Sequence, residues 1–573
     1  MKNNKRTGNR FKRIAALLLI LAMTAVFALV SGCGSESETA ADGNAAAEFT
    51  LPDVEAPAAS LAEATVYDVS DATGFVFSDS EITVTDGAYD GYKVEGTSLS
   101  ITAAGTYVVS GSCSNGTIVV KKNVTGVTLV LSGLDLSASA TAPVTCNKGS
   151  EARIIAAEGT VNNLADDEFN NDDVYTDETL YPDIENAVIK CKDGSNVTIC
   201  GAGTINVTAN GKNGVKGGYD LYEEDEEGNA TDKLISEASL TVKEVTLNIT
   251  AMAGDGLKSD KLLNVLSGNI TVAAASDGVK SDYVMNIGTK GVDGPTITVT
   301  KAEEGVEAAT INVWSGSVNV SASEDGINAA NSDLENYAYS YNQFGGSVVV
   351  DVTGGDGIDS NGTTYLLGGT LEVYAPSQGD GDPLDSDSVT YFGGATVLAV
   401  GHTGMAQRYN ASTPYAEFSG SGLVAAGGEI RITAADGSVL YTAKAVRDAS
   451  SVLFTSPDLT SGETYTLNGG ATAAAGYSSS NGGGRGGFGG GQRPDGNKGE
   501  RPDGGQTSDG EKREHPDGGQ RPDGSGTEFR GNGETPPELP DGETPPELPN
   551  GETPPSPPDG EALPDFPDEG THA

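Results

Sequence analysis

The chain has 573 residues, with 79 glycines, 25 prolines, one tryptophan and a formal net charge of −48. So negative a charge disfavours binding to nucleic acid or to anionic lipid through basic patches, but it is compatible with divalent cations and neutral polymers. An apolar content of 36% favours one elongated domain with extended ends over several globular domains.

Residues 1–32 have the pattern of a lipoprotein signal peptide. Six Lys and Arg residues precede the apolar run IAALLLILAMTAVFALV, and the segment Val30-Ser31-Gly32-Cys33 resembles a bacterial lipobox. We therefore predict cleavage before Cys33, lipidation of its thiol, and a lipid-anchored protein at the extracellular face of the cell membrane. A plain amino-terminal membrane helix is the alternative, although the run is at the short limit for spanning.

Two flanking segments have compositions that do not favour a packed core. Residues 33–65 are acidic and rich in alanine, and they predict a disordered linker between the membrane and the fold. Residues 476–573 are a low-complexity sequence rich in Gly, Pro and acids, including the nine-residue repeat GETPPELPD. They predict a disordered acidic tail.

Residues 66–400 are built from short β-favouring runs that repeat in two alternating signatures. An acid-Gly-aliphatic signature, with Pro replacing Gly in its last copy, begins at Asp255, Asp277, Glu304, Asp325, Asp356 and Asp382. A second signature, glycine before alternating β-formers, begins at Gly268, Gly294, Gly316, Gly346, Gly369 and Gly394. Repeats of roughly 22 residues predict a β-solenoid, with residues 401–475 as its carboxyl-terminal β cap.

Stacking of such repeats predicts rows of equivalent side chains. The aliphatic residue of each first signature is expected to point into the core, and the glycine beside the acid is expected to adopt a positive φ. An antiparallel sandwich or a propeller is the rival fold, but the Asn-Gly hairpin signals do not follow a regular spacing.

Several stretches resemble the clostridial carbohydrate-binding β-helix proteins, which are related in fold to pectate lyases. They are AVIKCKDGSNVTICGAGTINVTANGKNGVKG, GDGLKSD, SDGVKSD, EDGINAA, GGDGIDSNG and the late segment SSVLFTSPDLTSGETYTL. The resemblance implies an all-β, right-handed parallel β-helix that binds calcium and plant cell-wall polysaccharide, without proven catalysis. The insertion YDLYEEDEEGNATDK after Gly218 and the acidic unit at Glu304 depart from the pattern.

The position three residues after each signature acid changes along the chain from Lys258 and Lys280 to acids or an amide. Like charges stacked at about 5 Å repel unless a cation compensates them, and rows of carboxylate oxygens suit calcium. We therefore predict one or more calcium ions, with Asp387 as a further candidate, at Glu304, Glu307, Asp325, Asp356, Asp359, Asp382 and Asp385. Solvated turn residues are the alternative, because Asp-Gly is also favourable turn chemistry.

The insertion NAANSDLENYAYSYNQFGG contains Tyr337, Tyr339 and Tyr341 at alternate positions. In a strand all three would face one side, and we predict that they contact polysaccharide. Packing of the loop onto the repeats is the alternative. Trp314 is expected to be structural.

Three classes of function remain after these observations. We favour a non-catalytic protein that binds cellulose-like or polygalacturonate-like polysaccharide with calcium. A polysaccharide lyase would need a base such as Lys258, Lys280 or Lys301, and a hydrolase would need paired carboxylates. A surface adhesin that binds protein partners is the third class.

Four cysteines follow Cys33. Cys146 and Cys191 lie in similar contexts and are expected at equivalent places in the repeat; either a disulfide or buried free thiols fit the sequence.

Overall fold

The computed structural model describes residues 46, 49–85, 87–177, 179–225, 229–334, 336–379, 381–402 and 409–477. All of them lie in the first of two units, Met1–Arg485, whereas the second unit, Gly486–Ala573, lies outside the described residues. The signal peptide and Cys33 also lie outside the described residues. In the part of the chain that the structure describes, no helix has the length and apolar character needed to cross a membrane.

The described residues form one short 3₁₀ helix, Ala59–Ala62, and strands β1 to β40. Strands β1 to β10 are Thr73–Phe77, Ile82–Thr85, Tyr92–Glu95, Ser98–Ile101, Gly105–Cys113, Thr117–Val120, Val127–Ser137, Val144–Cys146, Glu151–Ala156 and Val161–Ala165. Strands β11 to β20 are Ala187–Cys191, Asn196–Cys200, Thr204–Ala209, Asn213–Gly217, Leu221–Glu224, Ala230–Ser236, Ser239–Val242, Thr246–Ala251, Leu257–Ser259 and Leu262–Val265. Strands β21 to β30 are Asn269–Ala274, Val279–Ile287, Thr296–Lys301, Val306–Val313, Ser317–Ala322, Ile327–Ala329, Ser340–Gln343, Ser347–Val352, Ile358–Ser360 and Thr363–Leu366. Strands β31 to β40 are Thr370–Tyr374, Val389–Phe392, Thr396–Gly401, Tyr409–Ala411, Tyr415–Val424, Glu429–Thr433, Val439–Lys444, Ala449–Thr455, Thr464–Leu467 and Ala471–Ala474.

Most strands belong to three parallel ladders in which successive strands come from successive repeats. The first ladder joins β4, β6, β8, β11, β14, β19, β22, β24, β26 and β29. The second joins β7, β9, β12, β17, β20, β22, β24, β27, β30, β32 and β34. The third joins β1, β5, β7, β10, β13, β18, β21, β23, β25, β28, β31 and β33. The prediction of an all-β fold is confirmed, and its sheet is mostly parallel.

Antiparallel pairs occur at both ends of these ladders. Strands β1 and β2 pair at the amino-terminal end, as do β3 and β4. Strand β38 pairs antiparallel with both β33 and β35, and a separate four-stranded sheet has the order β37-β36-β39-β40. Because β38 occupies the free edge of β33, the third ladder ends there without an exposed edge strand.

The aliphatic residues of the first signature form one buried row in the first ladder, as predicted. Each pairs in register with its equivalent in the next repeat, and each is at most 2% exposed: Leu257, Val279, Val306, Ile327, Ile358 and Leu384. Burial of one such side chain stabilises a fold by about 1.5–3 kcal/mol, so the row is a substantial part of the core.

The glycine of the first signature is required for close stacking, and the prediction that it adopts a positive φ is wrong. A Cβ at Gly326 would lie 2.6 Å from the carbonyl oxygen of Gly357 and 2.1 Å from Cγ1 of Val350, and no positive φ occurs there. The last copy has Pro383 instead, which fits because proline requires a φ near −65°. The positive φ values occur at the second signature, for example 93° at Gly268 and 93° at Gly316.

Residues 49–66 lie against the ladders, whereas the sequence predicted a free linker up to residue 65. The ring of Phe49 stacks on Tyr391 with centroids 4.4 Å apart. Lys243 Nζ donates to the carbonyl oxygen of Glu63 at 2.7 Å, and the backbone N–H of Thr65 donates to Glu244 Oε2 at 2.9 Å. Side chains that follow β17 thus satisfy backbone groups of this segment.

The four described cysteines are buried free thiols. Cys146 and Cys191 pair in register between β8 and β11, which confirms that they occupy equivalent places in the repeat. A hydrogen bond with Cys146 and burial raise the pKa of Cys191, so its thiol stays protonated.

Candidate functional site

The signature acids lie in one row because the backbone connects each to the next repeat. The N–H of Gly256 donates to the carbonyl oxygen of Asp277, and the same bond recurs at every later step. We call this set the acid row: Asp255, Asp277, Glu304, Asp325, Asp356 and Asp382. Strand register places the residues three positions later in a parallel row, which we call the mixed row: Lys258, Lys280, Glu307, Asn328, Asp359 and Asp385.

Carboxylates of the acid row also accept hydrogen bonds from the backbone of the following repeat. Asp325 Oδ1 accepts from the N–H of Asp356 at 2.6 Å, and Asp356 Oδ1 accepts from the N–H of Asp382 at 2.5 Å. One oxygen of each carboxylate therefore orients the side chain, which leaves its second oxygen for other contacts.

In the first two repeats of the acid row, lysines of the mixed row neutralise the acids. Lys258 Nζ lies 3.6 Å from Asp255 Oδ2 and 3.5 Å from Asp282 Oδ1. Lys280 Nζ lies 2.7 Å from Asp277 Oδ2 and also contacts Glu307 Oε2. Burial lowers the pKa of Lys280, but the two carboxylates outweigh burial and raise it, so its ammonium group stays charged.

A first carboxylate cluster is therefore already occupied by a cation of the protein. Ligand oxygens of Asp277, Glu304 and Glu307 all lie within 4.8 Å of one another. The sequence has acids or an amide in the mixed row from Glu307 onward, but Lys280 reaches Glu307 from the preceding repeat. A lysine side chain is long enough to reach the neighbouring repeat, and the Lys280 ammonium contacts two of the three acids, Asp277 and Glu307.

A second carboxylate cluster consists of Asp356, Asp359 and Asp385, whose ligand oxygens also lie within 4.8 Å of one another. Burial, together with the charges of Asp325, Asp356, Asp385 and Asp387, raises the pKa of Asp359 to about 7. Burial and neighbouring acids likewise raise the pKa of Asp356 to about 7, against the hydrogen bond from Asp382. We call Asp356, Asp359 and Asp385 the aspartate cluster.

Two further predicted ligands, Asp325 and Asp382, belong to the acid row beside the aspartate cluster but are not members of the cluster. Burial raises the pKa of Asp325, and Asp325 is the acceptor for the Asp356 N–H. Asp382 is 3% exposed and its Oδ1 lies 3.4 Å from Nδ1 of His402. The structure thus brings together three of the seven predicted ligands at one point and two, Glu304 and Glu307, at another.

The three tyrosines of the insertion do not share a face, which corrects the sequence prediction. Tyr341 is fully buried, in register with Ile311, and has no surface for a glycan. Strand β27 begins only at Ser340, so strand alternation does not extend back to the other two. Tyr339 donates its hydroxyl to carbonyl oxygens of its own loop, and Tyr337 pairs its hydroxyl with Thr310 Oγ1 at 3.1 Å.

Partly exposed tyrosines nevertheless meet on the surface beside the first ladder. The ring centroids of Tyr337 and Tyr339 are 5.4 Å apart, and Tyr283 meets Tyr337 edge-on at 6.4 Å. Lys261 Nζ lies 4.1 Å from the ring centroid of Tyr283. We call Tyr283, Tyr337 and Tyr339 the tyrosine patch.

Sequence reasoning missed Tyr283, although the sequence carried a signal for it. Tyr283 follows the signature SDGVKSD directly, where a side chain leaves the repeat near the next insertion. Trp314, in contrast, is 6% exposed and stacks on Phe344 with centroids 4.0 Å apart, as expected for a structural residue.

The fold and these clusters define an all-β protein of stacked repeats with carboxylates aligned along one side. A family profile described as "Carbohydrate-binding domain-containing protein" matches residues 95–224 and 225–311. A protein of Acetivibrio thermocellus with the same description is 31% identical over 156 residues, which is 27% of this chain and 48% of the relative. The alignment therefore spans about half the length of that relative.

Among solved structures, the gadolinium derivative of the polysaccharide lyase-like protein from C. thermocellum is similar to 60% of this chain. The match covers 97% of that protein at 20% identity, with a TM-score of 0.30. The family profile ends at residue 311, so it includes the first carboxylate cluster and stops before the aspartate cluster.

Proposed function

We propose that this protein is a lipid-anchored surface protein that binds polysaccharide with calcium and without catalysis. We also propose that its three ladders wind as a parallel β-helix, because each repeat contributes strands to the ladders in the same order. We assign it the right hand, which connections between parallel strands of one sheet almost always adopt. Similarity to proteins described as carbohydrate-binding supports the choice of ligand class.

The observation that carries the proposal is the aspartate cluster. Two oxygens bound to one calcium ion at about 2.4 Å are at most about 4.8 Å apart, and the three carboxylates satisfy this limit. Hard carboxylate oxygens are the donors that calcium prefers. Burial, together with the neighbouring acids, raises the pKa of Asp356 and Asp359 to about 7, and a bound cation would favour their charged forms. The residues therefore fit calcium.

Asp356, Asp359 and Asp385 would hold the ion, with Asp325 and Asp382 orienting them through the backbone bonds of the acid row. A bound calcium ion would remove the mutual repulsion of these acids and offer coordination to a sugar carboxylate or hydroxyl. The tyrosine patch would then be the protein's direct contact with the glycan, because its rings can stack on apolar faces of sugars.

The positions of Lys258 and Lys280 disfavour them as bases for elimination at the aspartate cluster. Lys280 is three repeats from Asp359 in the mixed row, which corresponds to roughly 14 Å. It is engaged with Asp277 and Glu307, and Lys258 is engaged with Asp255 and Asp282. A general base must reach the proton that it removes within hydrogen-bond distance, and neither lysine does so at the aspartate cluster.

Lipid attachment at Cys33 is proposed from the lipobox-like segment alone. Metabolic labelling with a radioactive fatty acid tests it, with Cys33→Ser as the control. Label in the wild-type protein but not in the variant supports lipid attachment at Cys33. Absence of label from both proteins refutes it.

A binding isotherm against polygalacturonate and cellulose, in calcium and in chelator, tests the proposed function. We expect calcium-dependent binding to at least one polymer, lost in the Asp356→Asn/Asp359→Asn variant. Binding that is equal in calcium and chelator removes calcium from the mechanism, and binding to neither polymer refutes the function. Release of unsaturated ends from polygalacturonate would instead establish a lyase.

A further inference from the structure

A second row of polar side chains lies on the outer face of the second ladder. Strand register aligns six residues, which we call the amide–tyrosine row: Asn264, Asn286, Asn312, Asn342, Tyr365 and Tyr391. They face outward, because their neighbours on each strand point into the core; Met285 and Ile287, on either side of Asn286, are both buried in it.

The asparagines form a ladder of side-chain hydrogen bonds with one open end. Asn286 Nδ2 donates to Asn264 Oδ1, Asn312 Nδ2 to Asn286 Oδ1, and Asn342 Nδ2 to Asn312 Oδ1, at 2.9–3.0 Å. The last acceptor, Asn342 Oδ1, is buried and receives no hydrogen bond from the described residues. An unsatisfied buried carbonyl is unfavourable, so this oxygen is suited to a hydroxyl donor.

The row ends in an aromatic platform next to that oxygen. Tyr365 and Tyr391 stack with centroids 5.1 Å apart and an interplanar angle of 13°. Both are partly exposed, and the ring of Phe49 lies on Tyr391 at an interplanar angle of 30°. A flat apolar ring that stacks on a tyrosine pair occupies the position that a pyranose ring takes on an aromatic platform.

Residues 49–66, which we call the strap, run along the amide–tyrosine row from end to end. Phe49 lies at Tyr391, and the carbonyl oxygen of Val66 accepts from Nη1 of Arg153. Arg153 occupies the same register position three repeats before Asn264. A strap along this row would cover the asparagines, which are at most 8% exposed although they face outward.

The strap itself is held weakly. None of its described residues is buried, and side chains bond its backbone at a few points, such as Thr289 Oγ1 to the carbonyl oxygen of Pro57. Segments with few buried contacts open at low free-energy cost. A competing ligand with stacking surface and hydroxyl groups would thus meet little resistance.

We propose that the amide–tyrosine row is a binding groove for a neutral polysaccharide, and that the strap occupies it until the glycan displaces it. The proposal rests on the proposed function for its ligand class, but it concerns a different surface. All six side chains of the row are uncharged, so the groove needs neither calcium nor a uronate. Stacking on Tyr365 and Tyr391, with a sugar hydroxyl donated to Asn342 Oδ1, supplies the recognition.

The test compares strap variants of the full chain for binding of cellohexaose by calorimetry in chelator. Phe49→Ala uncovers the platform and is expected to raise the affinity about three- to tenfold. Leu51→Ala removes a strap side chain that is 62% exposed and is expected to change nothing. Adding Tyr391→Ala to Phe49→Ala is expected to abolish the gain.

A second measurement reports displacement of the strap directly. Phe49→Trp places a tryptophan on the platform, and the wild-type protein, whose one tryptophan is Trp314, supplies the background signal. Cellohexaose is expected to shift the emission of the variant to the red as the indole enters water. An unchanged spectrum, together with unchanged affinity in Phe49→Ala, overturns the proposal even if one variant is poorly folded.

Calcium-dependent polygalacturonate binding, measured on the same samples, separates this proposal from the proposed function. If all variants bind polygalacturonate but Phe49→Ala gains no affinity for cellohexaose, the strap proposal fails alone. If Phe49→Ala gains cellohexaose affinity in chelator while no sample shows calcium-dependent binding of polygalacturonate or cellulose, the groove stands and the calcium mechanism fails.

Discussion

At the scale of single residues, the difference between the two carboxylate clusters lies in one lysine. Lys280 compensates the cluster of Asp277, Glu304 and Glu307, whereas acids alone raise the pKa of Asp359 beyond the effect of its burial. Burial and neighbouring acids also raise the pKa of Glu307, to about 8, against the effect of Lys280. We expect the aspartate cluster to bind calcium more tightly, because Lys280 competes with a metal ion for the acids of the first cluster.

The first prediction follows from this difference. In the wild-type protein, calcium at 100 times its dissociation constant should raise the free energy of unfolding by about 2.7 kcal/mol. The isosteric variant Asp356→Asn/Asp359→Asn should lose nearly all of that gain, because only Asp385 keeps a charge in the cluster. Thermal unfolding with calcium and with chelator measures it.

Glu307→Gln is the matched control, since it removes one acid from the lysine-compensated cluster and should keep the calcium effect. The reverse result, with the effect lost in Glu307→Gln and kept in the double variant, would move the metal site to Asp277 and Glu304.

At the scale of strands and turns, the glycines of the first signature set the spacing between repeats. Stacked strands lie about 4.8 Å apart, and a methyl group at Gly326 would overlap the backbone of the next repeat. We predict that Gly326→Ala destabilises the fold by about 1–3 kcal/mol, the usual cost of overpacking a core. Urea unfolding measures this change.

Gly420→Ala is the control for Gly326→Ala. The nearest atom to a Cβ at Gly420 is 3.9 Å away, and its φ is not positive. It should change the free energy of unfolding by less than about 0.5 kcal/mol. Equal effects of the two substitutions would show that close stacking does not depend on Gly326.

The sequence predicted these rows because a repeat of fixed length converts position in the sequence into position in space. The inward row from Leu257 to Leu384 and the equivalence of Cys146 with Cys191 follow from spacing alone. The inward orientation of Tyr341 could not be predicted from spacing, since its strand begins after an irregular loop.

Contacts between distant segments could not be predicted from the sequence either. Lys280 and Glu307 are 27 residues apart, and their contact depends on the reach of a flexible side chain rather than on spacing. The stacking of Phe49 on Tyr391 joins the fold to a segment whose composition predicts disorder.

At the scale of the whole molecule, the tyrosine patch and the aspartate cluster both lie on or beside strands of the first ladder. We predict that Tyr283→Ala/Tyr337→Ala weakens calcium-dependent polysaccharide binding about tenfold or more, because two stacking surfaces are lost. Tyr175→Ala is the matched control, since Tyr175 packs on Phe169 and Tyr181 at 5.0–5.1 Å, away from the patch. Isotherms on polygalacturonate measure both, and equal affinities would remove the patch from the binding surface.

The pH dependence of stability also belongs to the whole molecule, because it sums over the acids. The pKa values of Asp356 and Asp359 rise from an ordinary 3.8 to about 7 in the folded, metal-free protein. Between pH 4 and 7 these two groups therefore bind more protons in the folded state than in the unfolded chain, and their contribution to the free energy of unfolding falls as pH rises. Burial raises the pKa of Asp166, to about 6, so this residue acts in the same direction.

Calcium should reverse this trend at the aspartate cluster alone. Its binding requires deprotonated carboxylates, so the stabilisation that it provides should be small at pH 5 and large at pH 7.5. The difference between melting temperatures in calcium and in chelator, measured at both pH values, isolates the cluster, because Asp166 and other distant acids contribute equally to the two conditions. A calcium effect that does not grow between pH 5 and 7.5, or that grows equally in Asp356→Asn/Asp359→Asn, would contradict the assignment of the elevated pKa values to a calcium site.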